Sequence, residues 1–175
     1  MKSAILVIDM TNDFLTGVLK NERAIKTIEP INGLVIKARE KGVPVIYVSD
    51  AHYPVDHELA IWGNHSMKGE WGGQISAELT PQSSDYVLEK RTYSAFFETG
   101  LDSLLRELKV DNVILTGVVT NICIQHSAAD AVLRGYKITV PIETTETLND
   151  EDYKYALNYI KTMYGAKIGS VDDIL

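Results

Sequence analysis

Cysteine is almost absent from this chain: Cys123 is the one such residue in 175. No disulfide can form within the chain, and a reducing cytoplasm is the expected compartment. Positive charge is also short. Lys and Arg number 17 against 24 Asp and Glu, a net charge of -7, and the basic residues form no stripe. That balance argues against a nucleic-acid footprint and against an anionic membrane surface. Long apolar runs are missing, since stretches such as AILVI from Ala4 are far too short to span a bilayer. Lys2 and a short apolar run meet Asp9 at once, with no small-residue cleavage site, so no signal peptide is expected. No GxGxxG follows the first strand-like run and no GKS or GKT occurs anywhere, which disfavours dinucleotide and nucleoside triphosphate sites. Internal repeats and low-complexity tracts are absent too.

What remains is an ordinary globular composition, 45% apolar and 23% charged, over a length that suits one domain with one core. Short apolar runs at 4–8, 43–48, 86–90, 112–117, 136–141 and 166–171 read as six strands. Between them, apolar residues recur at three- and four-residue spacing over Ala24–Glu40, within Ser94–Leu108, over Asn121–Arg134 and over Asp150–Met163, the pattern of amphipathic helices. A short helix is expected over Gly73–Leu79. Strands alternating with helices predict an α/β fold, a three-layer αβα sandwich around a mostly parallel six-stranded sheet. Such sheets place their sites beyond the C-terminal strand ends. Asp9, Asp50, Lys90 and the Cys123 segment all fall there.

Each of these residues has two readings. Cys123 is a buried small hydrophobe, or a nucleophile whose thiolate is favoured by a helix N-terminus. Asp9 caps the loop that follows it, or takes the proton of the thiol. Lys90 ends a strand of otherwise buried character. It either snorkels to the surface or supplies fixed positive charge between carboxylate and thiol. Asp13 reads as a structural residue holding the loop around Asn12 and Phe14. The long segment 50–75 holds His52, His57, His65 and both tryptophans. Asp50 and His52 alternate on one side of an extended stretch. With a later histidine they make a plausible mononuclear set for Zn²⁺, Mn²⁺ or Fe²⁺. His126, three residues after Cys123, reads as an interior or interface residue rather than the activating base. Backbone N–H groups at the Gly117–Val119 turn are natural oxyanion donors.

Several stretches taken together resemble the isochorismatase-like cysteine hydrolase superfamily, and within it the nicotinamidases. They are ILVIDMTNDF from Ile5, SDAHYPVDH from Ser49, WGNH from Trp62, GEWG from Gly69, KRTYSAF from Lys90 and GVVTNICIQHSAADA from Gly117. The match runs in order along nearly the whole chain. The resemblance implies a catalytic triad of Asp9, Lys90 and Cys123, and one divalent metal ion, with zinc foremost, on Asp50, His52 and His65. His57 would be the further histidine found near the metal in some members. It also implies a cis peptide between Val118 and Val119, oxyanion donors at Val119 and Cys123, and substrate walls at Phe14, Trp62, Tyr93 and Val119. A homo-oligomer, dimer or tetramer, is implied as well. Two departures stand out: Thr11 where the opening motif often has Gln, and Glu143-Thr144 where an Asp-Ala pair is usual. The implied reaction is hydrolysis of nicotinamide, a small-molecule amide, through a cysteine thioester. The alternatives are a metal-independent hydrolase of another small amide, carbamoylated amine or isochorismate, and a non-catalytic small-molecule or partner-binding module.

Overall fold

The structure, a computed structural model, describes residues 1–174. Seven strands form one sheet: β1 (Ser3–Ile8), β2 (Val45–Asp50), β3 (Tyr86–Lys90), β4 (Asn112–Val118), β5 (Lys137–Pro141), β6 (Thr145–Glu146) and β7 (Lys167–Gly169). The spatial order is β3-β2-β1-β4-β5-β7, β6 pairs with β4, and every pairing is parallel. The sheet therefore has one strand more than the sequence predicted. The extra one, β6, has two residues and no apolar run to announce it.

Side chains alternate across the pleat, so one strand feeds two cores. Ala4, Leu6 and Ile8 pack with Val113, Leu115 and the helical residues Leu101, Leu105, Ala128 and Ile160. Ile5 and Val7 turn the other way, to Tyr47, Ile114 and the helical residues Ile31, Leu34 and Val35. These two layers sandwich the sheet. The α-helices are α1 (Asn12–Leu15), α2 (Glu22–Ile25), α3 (Ile28–Glu40), α4 (Leu59–Trp62), α5 (Leu101–Glu107), α6 (Gln125–Leu133) and α7 (Asp150–Tyr164). None of the described helices is long and apolar enough to cross a membrane.

Local chemistry explains where the elements depart from the apolar spacing. The helix expected over Ala24–Glu40 is two helices, because Pro30 has no N–H and its ring would collide with a carbonyl four residues back. It is tolerated only in a first turn, so α3 restarts at Ile28. Upstream of α5, hydroxyls hold turns instead of helix: Ser94 Oγ accepts from Phe96 N and Thr99 Oγ1 accepts from Leu101 N, both at 3.2 Å. The expected Gly73–Leu79 helix is two separate three-residue 3₁₀ turns, Trp71–Gly73 and Ala77–Leu79. β3 has the expected limits but not the expected burial. It is an edge strand, mostly exposed, and Lys90 is its one buried residue.

Candidate active site

β3, β2, β1 and β4 are consecutive neighbours in the sheet, and each contributes one group at its C-terminal end. Lys90 ends β3 and stands in register with Asp50, which ends β2. Asp9 follows β1, and Cys123 lies beyond β4 in a single π-turn, Thr120–Ile124, that leads into α6. The order in which strands are added to the sheet reverses between β1 and β4, the switch point where open α/β sheets form their crevice. Two backbone features bring these ends together. Asp9 adopts the left-handed conformation (φ 54°), which Asp tolerates better than most residues. Gly117 (φ 105°) lies so close to β1 that a Cβ there would sit 1.9 Å from the Ile8 carbonyl oxygen. The Val118–Val119 peptide is cis.

Lys90 Nζ is 2.8 Å from Asp9 Oδ2, 2.6 Å from Asp50 Oδ1 and 3.8 Å from Cys123 Sγ, and it also donates to the Thr92 carbonyl at 3.0 Å. The second Asp9 oxygen accepts from Asp50 N at 2.9 Å. Asp9 and Cys123 also act on each other electrostatically, the carboxylate raising the thiol. All four groups are buried, which decides their protonation. Burial, then the Asp50 charge, raises the Asp9 carboxyl to about 7 in spite of Lys90. Burial alone would lower the Lys90 pKa, but Asp50 and Asp9 carry it well above the usual lysine value. Burial also pushes the Cys123 thiol well up, against the pull of Lys90. A resting thiolate, expected from a helix N-terminus, is thus not what the site holds. The thiol keeps its proton, and Asp9 is a carboxyl group beside it.

Next to the triad, Asp50, His52, Glu58 and His65 converge so that one ligand atom from each lies within 4.8 Å of the others, all four residues buried. The loop that carries them is less irregular than its sequence. His52 N donates to Ser66 O and Lys68 N donates to His52 O, each at 2.9 Å, so residues 65–68 fold back alongside His52. Asp13 pins the returning strand by accepting from Ser66 N at 2.7 Å, the structural role its position suggested. Each imidazole is anchored by Nδ1–H, His52 to Asp56 Oδ2 at 3.1 Å and His65 to Gly63 O at 2.8 Å, so Nε2 of both rings faces the cluster. His52 Nε2 and Glu58 Oε1 are buried with no hydrogen-bond partner. Burial would lower the His52 pKa, yet Asp50 raises it, so the carboxylates here call for a cation. Two imidazole nitrogens, two carboxylates and two orphaned donor atoms fit a divalent metal of borderline hardness.

Between the triad and this cluster opens a cavity of about 600 Å³ including its mouth. Phe14, Leu19, Trp62, Tyr93, Val118, Val119, Ile122 and Leu148 give it apolar walls; Cys123 lies on one side, and Asp50, Glu58 and His65 on another. Trp62 Nε1 donates to Tyr93 Oη at 3.1 Å, which ties two of the walls together. The Phe14 ring meets the His65 ring edge-on, with centroids 5.7 Å apart.

The fold thus gathers Asp9, Lys90 and Cys123 in one cluster, Asp50, His52 and His65 in the next, and Phe14, Trp62, Tyr93 and Val119 on the shared cavity. His57 is exposed and outside the donor cluster; its neighbour Glu58 faces inward instead. His126 is exposed rather than interior, with Nδ1 donating to Ile122 O at 2.7 Å. Thr11, one of the two departures, is buried and its hydroxyl lies 3.3 Å from that of Ser66. Sequence reasoning missed Glu58 and Asp56. Both sit in the histidine-rich loop, but no spacing rule marks which of its carboxylates turn inward.

The chain is similar in sequence and fold to known proteins. The Isochorismatase domain family matches residues 3–173. The crystal structure of N-carbamoylsarcosine amidase from Thermoplasma acidophilum is 42% identical and covers 99% of each chain, with a TM-score of 0.94. Nicotinamidase PncA from Bacillus subtilis is 30% identical over 97% of this chain and 100% of its own, with a TM-score of 0.91. The uncharacterised isochorismatase family protein YaaI of Bacillus subtilis is 33% identical over 98% of this chain and 96% of its own. With the parallel sheet, the buried cysteine and the adjoining donor cluster, these likenesses make the chain a cysteine hydrolase of the isochorismatase family.

Proposed function

We propose that this protein hydrolyses the carboxamide of nicotinamide to nicotinate and ammonia through a thioester on Cys123. The observation that carries the reading is the cavity, apolar and aromatic along its walls, with a thiol at one side and nitrogen-and-carboxylate donors at another. A flat neutral heterocycle fits such walls. Among the described residues no Lys or Arg lines the cavity, and Lys90 behind it is already engaged by two carboxylates.

Asp9 takes the thiol proton as Cys123 Sγ attacks the carboxamide carbon. The N–H groups of Val119 and Cys123 receive the oxyanion, and Lys90 keeps the negative charge of the site balanced. Asp9 returns the proton to the leaving ammonia and then deprotonates the water that cleaves the thioester, which frees nicotinate and restores the thiol. Asp50, His52, Glu58 and His65 would hold a divalent ion, zinc foremost, which supplies a Lewis-acidic anchor for the pyridine nitrogen.

A second reading has its own support: N-carbamoylsarcosine amidase is 42% identical to this chain. A carbamoylated amino acid carries a carboxylate, and among the described residues this cavity lining offers no Lys or Arg to meet it. Ammonia release from nicotinamide and from N-carbamoylsarcosine, each with and without chelator and zinc add-back, separates the two. Chelator-sensitive turnover of nicotinamide at the higher kcat/KM supports the first reading. Turnover of N-carbamoylsarcosine alone replaces it with the second.

A further inference from the structure

Asp56 lies outside the donor cluster, yet it is the most heavily engaged carboxylate nearby. Its side chain is 4% exposed. It accepts from His52 Nδ1 at 3.1 Å, from Tyr53 N at 3.0 Å, and from Arg91 through Nε at 3.1 Å and through Nη2. The Arg91 guanidinium in turn lies 4.8 Å over the Tyr53 ring, which holds its fork in place. The companion histidine has no such support, since His65 Nδ1 donates only to the neutral carbonyl of Gly63. The two imidazoles are therefore unequally backed, one by a charged carboxylate and one by a peptide.

We infer that Asp56, locked by Arg91, is the positioning residue of the metal site: it fixes the His52 tautomer, aims Nε2 at the cluster and strengthens that nitrogen as a donor. A carboxylate behind a ligating imidazole acts in this way in general. Arg91 ties the clamp to the rest of the centre. It follows Lys90 directly at the end of β3, and the two cations serve different carboxylates, Lys90 those of Asp9 and Asp50, Arg91 that of Asp56. The inference rests on reading Asp50, His52, Glu58 and His65 as a metal centre.

The test uses the full chain, stripped with chelator and titrated with Co²⁺, with visible absorbance and calorimetry as readouts. Asp56→Asn keeps a hydrogen-bond acceptor but loses the charge. It is expected to weaken Co²⁺ binding about 10- to 100-fold and to alter the visible bands, read on protein whose circular dichroism is that of the folded wild type. Arg91→Met is expected to weaken binding less, Arg91→Lys less still, and the Asp56→Asn/Arg91→Met double variant no more than Asp56→Asn alone. If Asp56→Asn fails to fold, Arg91→Met carries the test, because that side chain is 54% exposed. Wild-type affinity and spectrum in both single variants overturn the inference and leave the metal centre standing. Additive losses overturn it too, since they describe two independent loop staples. A wild-type chain that binds no Co²⁺ overturns the metal centre and the inference together.

Discussion

Replacing Lys90 with Met tests the electrostatic design of the triad apart from its chemistry. Met keeps most of the aliphatic stem, so little cavity opens, but the ammonium is lost from 2.8 Å of Asp9 and 2.6 Å of Asp50, both at most 1% exposed. Removing one partner of a buried ion pair costs about 3–5 kcal/mol, because the other charge is left uncompensated. Here two carboxylates are left. Asp9 sits at about 7 with Lys90 present and rises further without it. A folded-state value above the unfolded 3.8 means the folded variant holds the extra proton. Its stabilising effect is full below the unfolded value and is lost as pH rises through the folded one. The deficit against wild type is therefore smallest near about pH 5 and grows as pH rises above about 7, where the wild-type carboxyl ionises, toward about 3–5 kcal/mol at a pH above the variant's own, higher value. Urea unfolding of both proteins at the two ends of that range, with chelator present so that Asp50 bears its charge, measures it. Adding Asp9→Asn should recover about 2 kcal/mol of the high-pH loss. A Lys90→Met protein as stable as wild type and flat in pH refutes the reasoning.

Cys123→Ala should abolish ammonia release while nicotinamide still binds, read by calorimetry; retained turnover removes the thioester. Glu58→Ala should lower zinc content after dialysis against a weak chelator without moving the unfolding midpoint downward, since it deletes an orphaned buried oxygen. Gly117→Ala places a Cβ 1.9 Å from Ile8 O at φ 105°, so it should cost at least about 2 kcal/mol and lower the thermal midpoint. A soluble variant with a wild-type midpoint contradicts that close approach. At alkaline pH, Tyr136 and Tyr153 are both pushed up to about 12. Burial is the main cause for each, helped by Asp102 for the first and by Glu146 and Glu143 for the second. Raised acids stabilise the fold below their unfolded value of 10.0 and cease to do so as pH climbs to about 12. Tyr136 and Tyr153, two of the nine tyrosines, should therefore ionise late and together with unfolding, read as the part of the tyrosinate absorbance that Tyr136→Phe and Tyr153→Phe remove.

The sheet was legible because β1, β2, β4 and β5 are apolar on both faces, and a short apolar run between turn residues has few other fates in an α/β chain. The positions of Asp9, Asp50, Lys90 and Cys123 followed from the strand ends alone. Other properties depended on what the rest of the chain does. β3 reads like its neighbours but has nothing on its outer side, so its residues are exposed. The local turn of Cys123 favours thiolate through the helix start, but burial and two nearby carboxylates outweigh that field. Glu58 was lost among the polar residues of its loop, because the backbone bonds between His52 and residues 66–68 that bring the cluster together have no signature in sequence.

The exposed edge strand has a consequence for how the enzyme fails. Strands without an outer partner open at lower free energy than those inside a sheet, and they do so as local units. β3 carries Lys90 at its end, and Arg91 follows at once. A transient detachment of that one strand withdraws the cation from between Asp9 and Asp50 and releases the Arg91 hold on Asp56 in the same event. If the proposed mechanism holds, activity should track the hydrogen-exchange protection of five edge residues rather than the stability of the molecule as a whole. Mild heat or denaturant should then open this cluster while β1 and β4 are still intact.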